Sequence, residues 1–135
     1  MYQWYIYFIK ERRKDNGDRI IISEIGKSLY IRDLHSLVNK DKYVLIPRDK
    51  NKDFINRFKL DNKDIKKMLL SLSKENILYQ VEDRDYLKYG SEPLIVFKKK
   101  YKLIDMYGRD NVVSVYIKIK FKDNILPIIS FHLDE

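Results

Sequence analysis

The chain has 135 residues, and its 28 lysines and arginines against 20 aspartates and glutamates give a formal net charge of +8. This length suits one domain with a core of its own, and the cationic excess favours anionic partners, nucleic acid ahead of acidic protein or anionic membrane. With no cysteine and only two histidines, disulfides and thiolate metal sites are excluded, a histidine-rich zinc site is not expected, and a reducing cytoplasm is the expected compartment.

In chain order, residues 2–9 are aromatic and β-rich and read as a strand. They lack the basic lead-in and small-residue cleavage site of a signal peptide, and no apolar run reaches the roughly 20 residues that span a bilayer. Asn16-Gly17-Asp18 is a turn signal, after which residues 19–23 return as a second strand, apolar enough for burial on both faces. Residues 33–39 read as a helix with Asp33 as N-cap and Leu34, Leu37 and Val38 inward; His35 on it is expected to be a surface or capping residue. A short strand over 42–47 is stopped by Pro47.

Helices follow over 49–59, with Phe54, Ile55 and Phe58 inward, and over 61–72, capped by Asn62 or Asp61. In the second, Ile65, Met68, Leu69 and Leu72 make an i, i+3, i+4, i+7 stripe. Residues 73–79 begin as a further short helix, and 83–93 read as a loop. A strand over 94–104 and a loop containing Gly108 lead to a closing hairpin. The sum is α+β: an antiparallel sheet with helices packed on one side and an extra N-terminal β-hairpin. It is expected to be a single domain, 1–135, with residues 1–44 as an N-terminal extension and 45–135 as the core.

The closing hairpin gathers the candidate chemistry. Its even positions are Ser114, Tyr116, Lys118, Lys120 and Lys122, and its odd positions are Val115, Ile117, Ile119 and Phe121. Strict period-2 alternation predicts one buried face and one wet, cationic face. A two-residue turn at Asp123-Asn124 would set residue 116 opposite 131 and turn His132 away from Tyr116. A longer loop or a bulge is expected to set 116 opposite 130, putting Ser130 and His132 on the lysine face. Burying Ile129 and Phe131 with Val115, Ile117 and Ile119 favours the second arrangement.

Four segments then fall in order: Leu-Ser-Lys-Glu-Asn-Ile at 72–77, Val-Phe-Lys at 96–98, Val-Tyr-Ile-Lys-Ile at 115–119 and Ile-Ser-Phe-His at 129–132. They resemble the MqsR-like mRNA interferase toxins of bacterial toxin–antitoxin modules, which share the RelE-type ribonuclease fold. Ile-Pro-Arg-Asp-Lys-Asn at 46–51 looks like the Arg-x-Lys-Asn segment ahead of the helices in relatives. The resemblance implies a RelE-like core and metal-independent RNA cleavage by the neighbouring 2′-hydroxyl, with no cofactor. It also implies single-stranded mRNA as substrate and a cognate antitoxin that silences the enzyme. Tyr116 matches the family's tyrosine at the start of the penultimate strand, and His132 falls where relatives place a basic or histidine side chain. Lys98 aligns more loosely with a polar or basic position. Where some relatives carry a lysine after the Leu-Ser helix start, this chain has Tyr79 or Gln80.

Cleavage of this kind needs a base, an acid and fixed positive charge on the phosphorane-like transition state. Histidine titrates near neutrality by type, which makes His132 the candidate base. Lys98, Lys118, Lys120, Arg48 and Lys50 are candidates for holding phosphate, with Ser130 beside them, and Tyr116 can hold a phosphate oxygen or stack on a base. The acidic run Glu82, Asp83 and Asp85 reads as a solvated loop rather than a metal site. The competing expectations are a non-catalytic binder of nucleic acid or of a nucleic-acid enzyme, using the same basic face, and an interaction module built on the aromatic N-terminal strand.

Overall fold

The computed structural model describes residues 14–15, 19–81 and 92–134. The expected strand over 2–9, the Asn16-Gly17-Asp18 turn and the acidic run at 82–85 lie outside the described residues. The remaining elements are β1 (Lys14–Asp15), β2 (Arg19–Ile20), α1 (Glu24–Asn39), β3 (Tyr43–Leu45), α2 (Asp49–Phe58), α3 (Asn62–Leu70), β4 (Ile77–Val81), β5 (Leu94–Ile104), β6 (Asp110–Lys120) and β7 (Leu126–Leu133). The strands form one sheet in the order β1-β2-β4-β5-β6-β7-β3. All pairings are antiparallel except β3 with β7, which is parallel. The α+β architecture with helices on one side of the sheet is as expected, and the N-terminal hairpin pairs 14 with 20 and 15 with 19. Among the described residues, no helix is long and apolar enough to cross a membrane.

One core joins the helices to the inner face of the sheet. Tyr30, Leu34 and Val38 of α1, Phe54 and Phe58 of α2, and Ile65, Met68 and Leu69 of α3 pack with Phe97, Val115, Ile117, Ile119 and Phe131. The apolar positions recur at helical spacing on one side of the core and at spacing two on the other. Phe54 lies between Phe58 and Phe131, with ring centroids 5.3 and 5.5 Å away. Burial of each such side chain contributes roughly 1.5–3 kcal/mol.

Three elements differ from the sequence expectation. The helix placed at 33–39 begins nine residues earlier, at Glu24, because Ser23 caps it by accepting the Gly26 N–H at 3.1 Å. Asp33 is therefore interior to the helix, and the second strand ends at Ile20. The short helix expected over 73–79 is one 3₁₀ turn, Lys74–Asn76, that feeds directly into β4. His35 is half-buried and donates from Nε2 to the Leu72 carbonyl at 2.8 Å, tying α1 to the chain just after α3. The sequence suggests a surface or capping residue; His35 is neither, since it is half-buried and its partner is a distant carbonyl.

Other expectations stand closely. Asp61 caps α3 in a reciprocal box with Asp64, whose backbone N–H holds the Asp61 carboxyl below the usual carboxylate range. Gly108, at φ +77°, closes the β5–β6 loop. There Asp105 accepts the Tyr107 and Arg109 N–H groups and the Asn111 amide.

Candidate nucleic-acid site on the open sheet face

The outer face of the sheet, opposite the helices, carries the candidate residues. β6 sets Tyr116 between two neighbours: Lys98 of β5 pairs with it on one side and His132 of β7 on the other. Lys98, Tyr116 and His132 thus form one row across three strands. The next row is Tyr79, Val96, Lys118 and Ser130. Tyr116 and His132 stack, with ring centroids 5.5 Å apart and planes 22° from parallel.

The register that makes this row is not the one expected. Near the turn Ile119 lies opposite Ile128, whereas beyond it Lys118 lies opposite Ser130 and Tyr116 opposite His132, not residue 130. The predicted face is right and the predicted partner is off by two. Ile129 is the extra residue, and the bulge it makes moves every later side chain of β7 to the other face. Without it Tyr116 would face Phe131.

The bulge has a buried partner that the sequence reading did not single out. Asn51, in the first turn of α2, is 1% exposed. Its Nδ2 donates to the carbonyls of Ile46 at 2.8 Å and Ile129 at 3.1 Å. Its Oδ1 accepts the Phe131 N–H at 2.8 Å. The side-chain amide therefore stands in for a neighbouring strand where β3 has ended. β3 pairs with β7 only to Ile128, and Pro47, with no N–H, cannot extend the ladder. The same segment delivers Arg48, whose Nη1 lies 3.4 Å from both the Ile129 carbonyl and Ser130 Oγ.

Further charged and polar groups surround the Tyr116 hydroxyl. Burial pushes this phenol above its ordinary value, and Tyr79 and Asp134 push the same way, while Arg19 and Arg48 pull it back. Its proton is accordingly held firmly at neutral pH. Arg19 of β2 lies over the Tyr79 ring, 4.5 Å from its centroid. Asp134 accepts from Lys98 Nζ at 2.6 Å. His132 Nδ1 is 2.9 Å from the Leu133 carbonyl. A carbonyl only accepts, so Nδ1 carries the hydrogen and, in the neutral ring, Nε2 keeps the lone pair. Beside His132 and Leu133 opens a cavity of about 400 Å³ whose other wall is Lys50, Asp53, Phe54 and Arg57 of α2.

The eight singled-out residues therefore separate. His132, Tyr116, Lys98, Lys118 and Arg48 come together, and Lys50 lines the same cavity as His132. Two expectations of a wet face are corrected. Lys120 is fully buried, opposite Leu94 at a covered end of the strand, and Ser130 is 3% exposed beneath Arg48. Alternation assigns a face but not its exposure, and this end of the outer face, with Leu94 and Val96 also buried, is closed to solvent.

Arg19 and Asp134 were missed, and Asn51 figured only as the end of the 46–51 segment, with no role of its own. Asp134 had a signal, since period two from His132 keeps it on the same face. Arg19 had none, because the pairing of β2 with β4 is a long-range event. No protein-family model matches the chain, and no curated protein matches it either.

Proposed function

We propose that the chain is an endoribonuclease that cleaves single-stranded RNA by attack of the 2′-hydroxyl on the adjacent phosphate, with no metal in the reaction. The observation that carries this reading is the Lys98–Tyr116–His132 row, a candidate base, a hydroxyl donor and a cation on three adjacent strands. His132 Nε2 takes the 2′-hydroxyl proton while Nδ1–H stays on the Leu133 carbonyl. The 2′-oxygen bonds to phosphorus, the bond to the 5′-oxygen breaks, and the firmly protonated Tyr116 hydroxyl supplies a proton to that leaving oxygen. Lys98, Arg48 and Arg19 offset the charge on the phosphoryl oxygens. Tyr79, under the Arg19 guanidinium, offers a ring for an unstacked base. The resemblance to the MqsR-like toxins points the same way.

The test is incubation of the full chain with single-stranded RNA in EDTA. Fragments ending in a 2′,3′-cyclic phosphate and a 5′-hydroxyl are expected. His132→Ala should slow cleavage by about 10²–10⁴-fold, the usual contribution of a positioned general base, with RNA binding largely retained. Binding without cleavage by the parent protein would instead favour the non-catalytic nucleic-acid binder. Undiminished cleavage by the variant would remove His132 from the reaction.

A further inference from the structure

Beyond Phe97 strand β5 runs past its outer neighbour β4, while β6 stays paired with β7 as far as Val115. β4 covers β5 only from Leu94 to Phe97, so among the described residues no strand lies on the outer side of 98–104. Alternate backbone N–H and C=O groups there point away from β6. From Lys99 to Ile104, among the described residues, none of these outward groups has a backbone partner. Along this edge lies a cavity of about 590 Å³, larger than the one beside His132 and sharing no residue with it. Every residue from Lys99 to Ile104 lines it. Successive side chains of a strand point to opposite faces, so the cavity follows the edge of the strand and not one of its faces.

The opposite wall is apolar, built from Phe58, Leu60 and Met68. The rim is cationic: Lys67, Lys99, Lys100 and Lys102 stand against one acid, Asp64, whose carboxylate already accepts the Asp61 N–H. The floor is rigid where the strand crosses it, because the Tyr101 hydroxyl donates to the Met68 carbonyl at 2.7 Å and Met106 N–H donates to the Arg57 carbonyl at 2.9 Å.

We propose that the outer edge of β5 is a docking groove for an extended, acidic segment of a different protein. The segment adds as a strand along residues 99–103, its apolar side chains resting on Phe58, Leu60 and Met68 and its carboxylates meeting the lysine rim. A second copy of this chain does not fit, since pairing the same edges would set lysine against lysine. RNA fits poorly as well, since its sugar–phosphate backbone cannot continue the alternating N–H and C=O ladder of a strand edge. The proposal is independent of the ribonuclease reading.

The probe is a synthetic peptide of about ten residues alternating glutamate with valine and leucine, titrated into the ¹⁵N-labelled full chain. Amide shifts are expected at residues 99–104 and around Met68, with the His132 region unmoved. The double variant K99E/K102E should weaken binding by roughly tenfold or more and take up the lysine-for-glutamate version of the peptide instead. If that variant does not fold, K99Q/K102Q and a salt titration of the parent read the same charge dependence. No shift at millimolar peptide, shifts elsewhere, or equal binding of the glutamate and lysine peptides would overturn the proposal. So would stronger movement of the same amides by a single-stranded RNA oligomer.

Discussion

Each half of the β5–β6 hairpin has one strand in which lysine alternates with an apolar or aromatic residue, β6 over 117–120 and β5 over 100–103, and the two are put to different use. In the half between β4 and β7, the outer side chains of β6 lie between those of neighbouring strands. Lys120 and Val96 are fully buried and Tyr116 is pinned between Lys98 and His132. Among the described residues no strand flanks the outlying half, and Tyr107 and Val112 are 75% and 71% exposed. What a strand's polar face does is decided by what lies beside it. A flanked strand can preorganise side chains at fixed spacing, while a bare one offers its edge to another chain.

The sharpest way to break this contrast is at Asn51, on which the flanked half depends. Asn51→Ala leaves the Phe131 N–H buried without its partner, and the Ile129 carbonyl with only the longer contact to Arg48 Nη1. A cost of about 1–3 kcal/mol is expected for such orphaned groups, read as a lower urea midpoint. If the amide also fixes the bulge, contacts between the Tyr116 and His132 rings in NMR spectra should weaken, and proposed cleavage should fall with them. Amide shifts of residues 99–114 should stay put. A stable variant whose rings still stack would show that β6–β7 packing alone sets the register.

A smaller effect is expected at Tyr101, where the outlying half is tied to α3. Burial pushes the Tyr101 phenol up to about 12, whereas a tyrosine of the unfolded chain ionises near pH 10. The folded state therefore holds this proton more tightly. Its contribution is complete below about pH 10 and is lost as the pH rises from there through about 12. Tyr101→Phe removes the hydrogen bond to the Met68 carbonyl, costing about 1 kcal/mol at neutral pH. It should also flatten the decline in Tm above pH 10. Tyr30 and Tyr116, whose phenols burial also raises, leave a residual slope in the variant.

Much of this contrast was legible in the sequence, and the rest was not for definable reasons. Period-two alternation located β5, β6 and the shared face of Tyr116 and His132, because side-chain direction in a strand is local geometry. The helical stripe through Ile65, Met68 and Leu69 was equally plain. The register was not, since one bulged residue shifts it and what stabilises the bulge is Asn51, 78 residues away from Ile129. Lys120 looked exposed because lysine usually is; only the covering of its strand end reverses that. Ser23 outcompeted Asp33 as a cap because the chain before Asp33 also has helical spacing, with Tyr30 and Leu34 a turn apart and both buried.

The smallest expected effect on stability is at Asp134, and it bears on how the flanked half handles charge. Lys98 and Asp134 are 2.6 Å apart, with side chains 45% and 28% exposed. A pair this open to water contributes roughly 0–1 kcal/mol and is screened by salt. Asp134→Asn should therefore leave the urea midpoint nearly unchanged. Its electrostatic effect is larger in proportion, because it releases the Lys98 ammonium and removes an anion that pushes the Tyr116 phenol upward. The proposed RNA binding should tighten, and its dependence of log K on log salt should steepen by about 0.7, the increment for one more phosphate contact on a single strand. Weaker binding would mean that Asp134 holds Lys98 in the position from which it meets the phosphate. The carboxylate would then be a positioning group of the row and not a competitor for its cation.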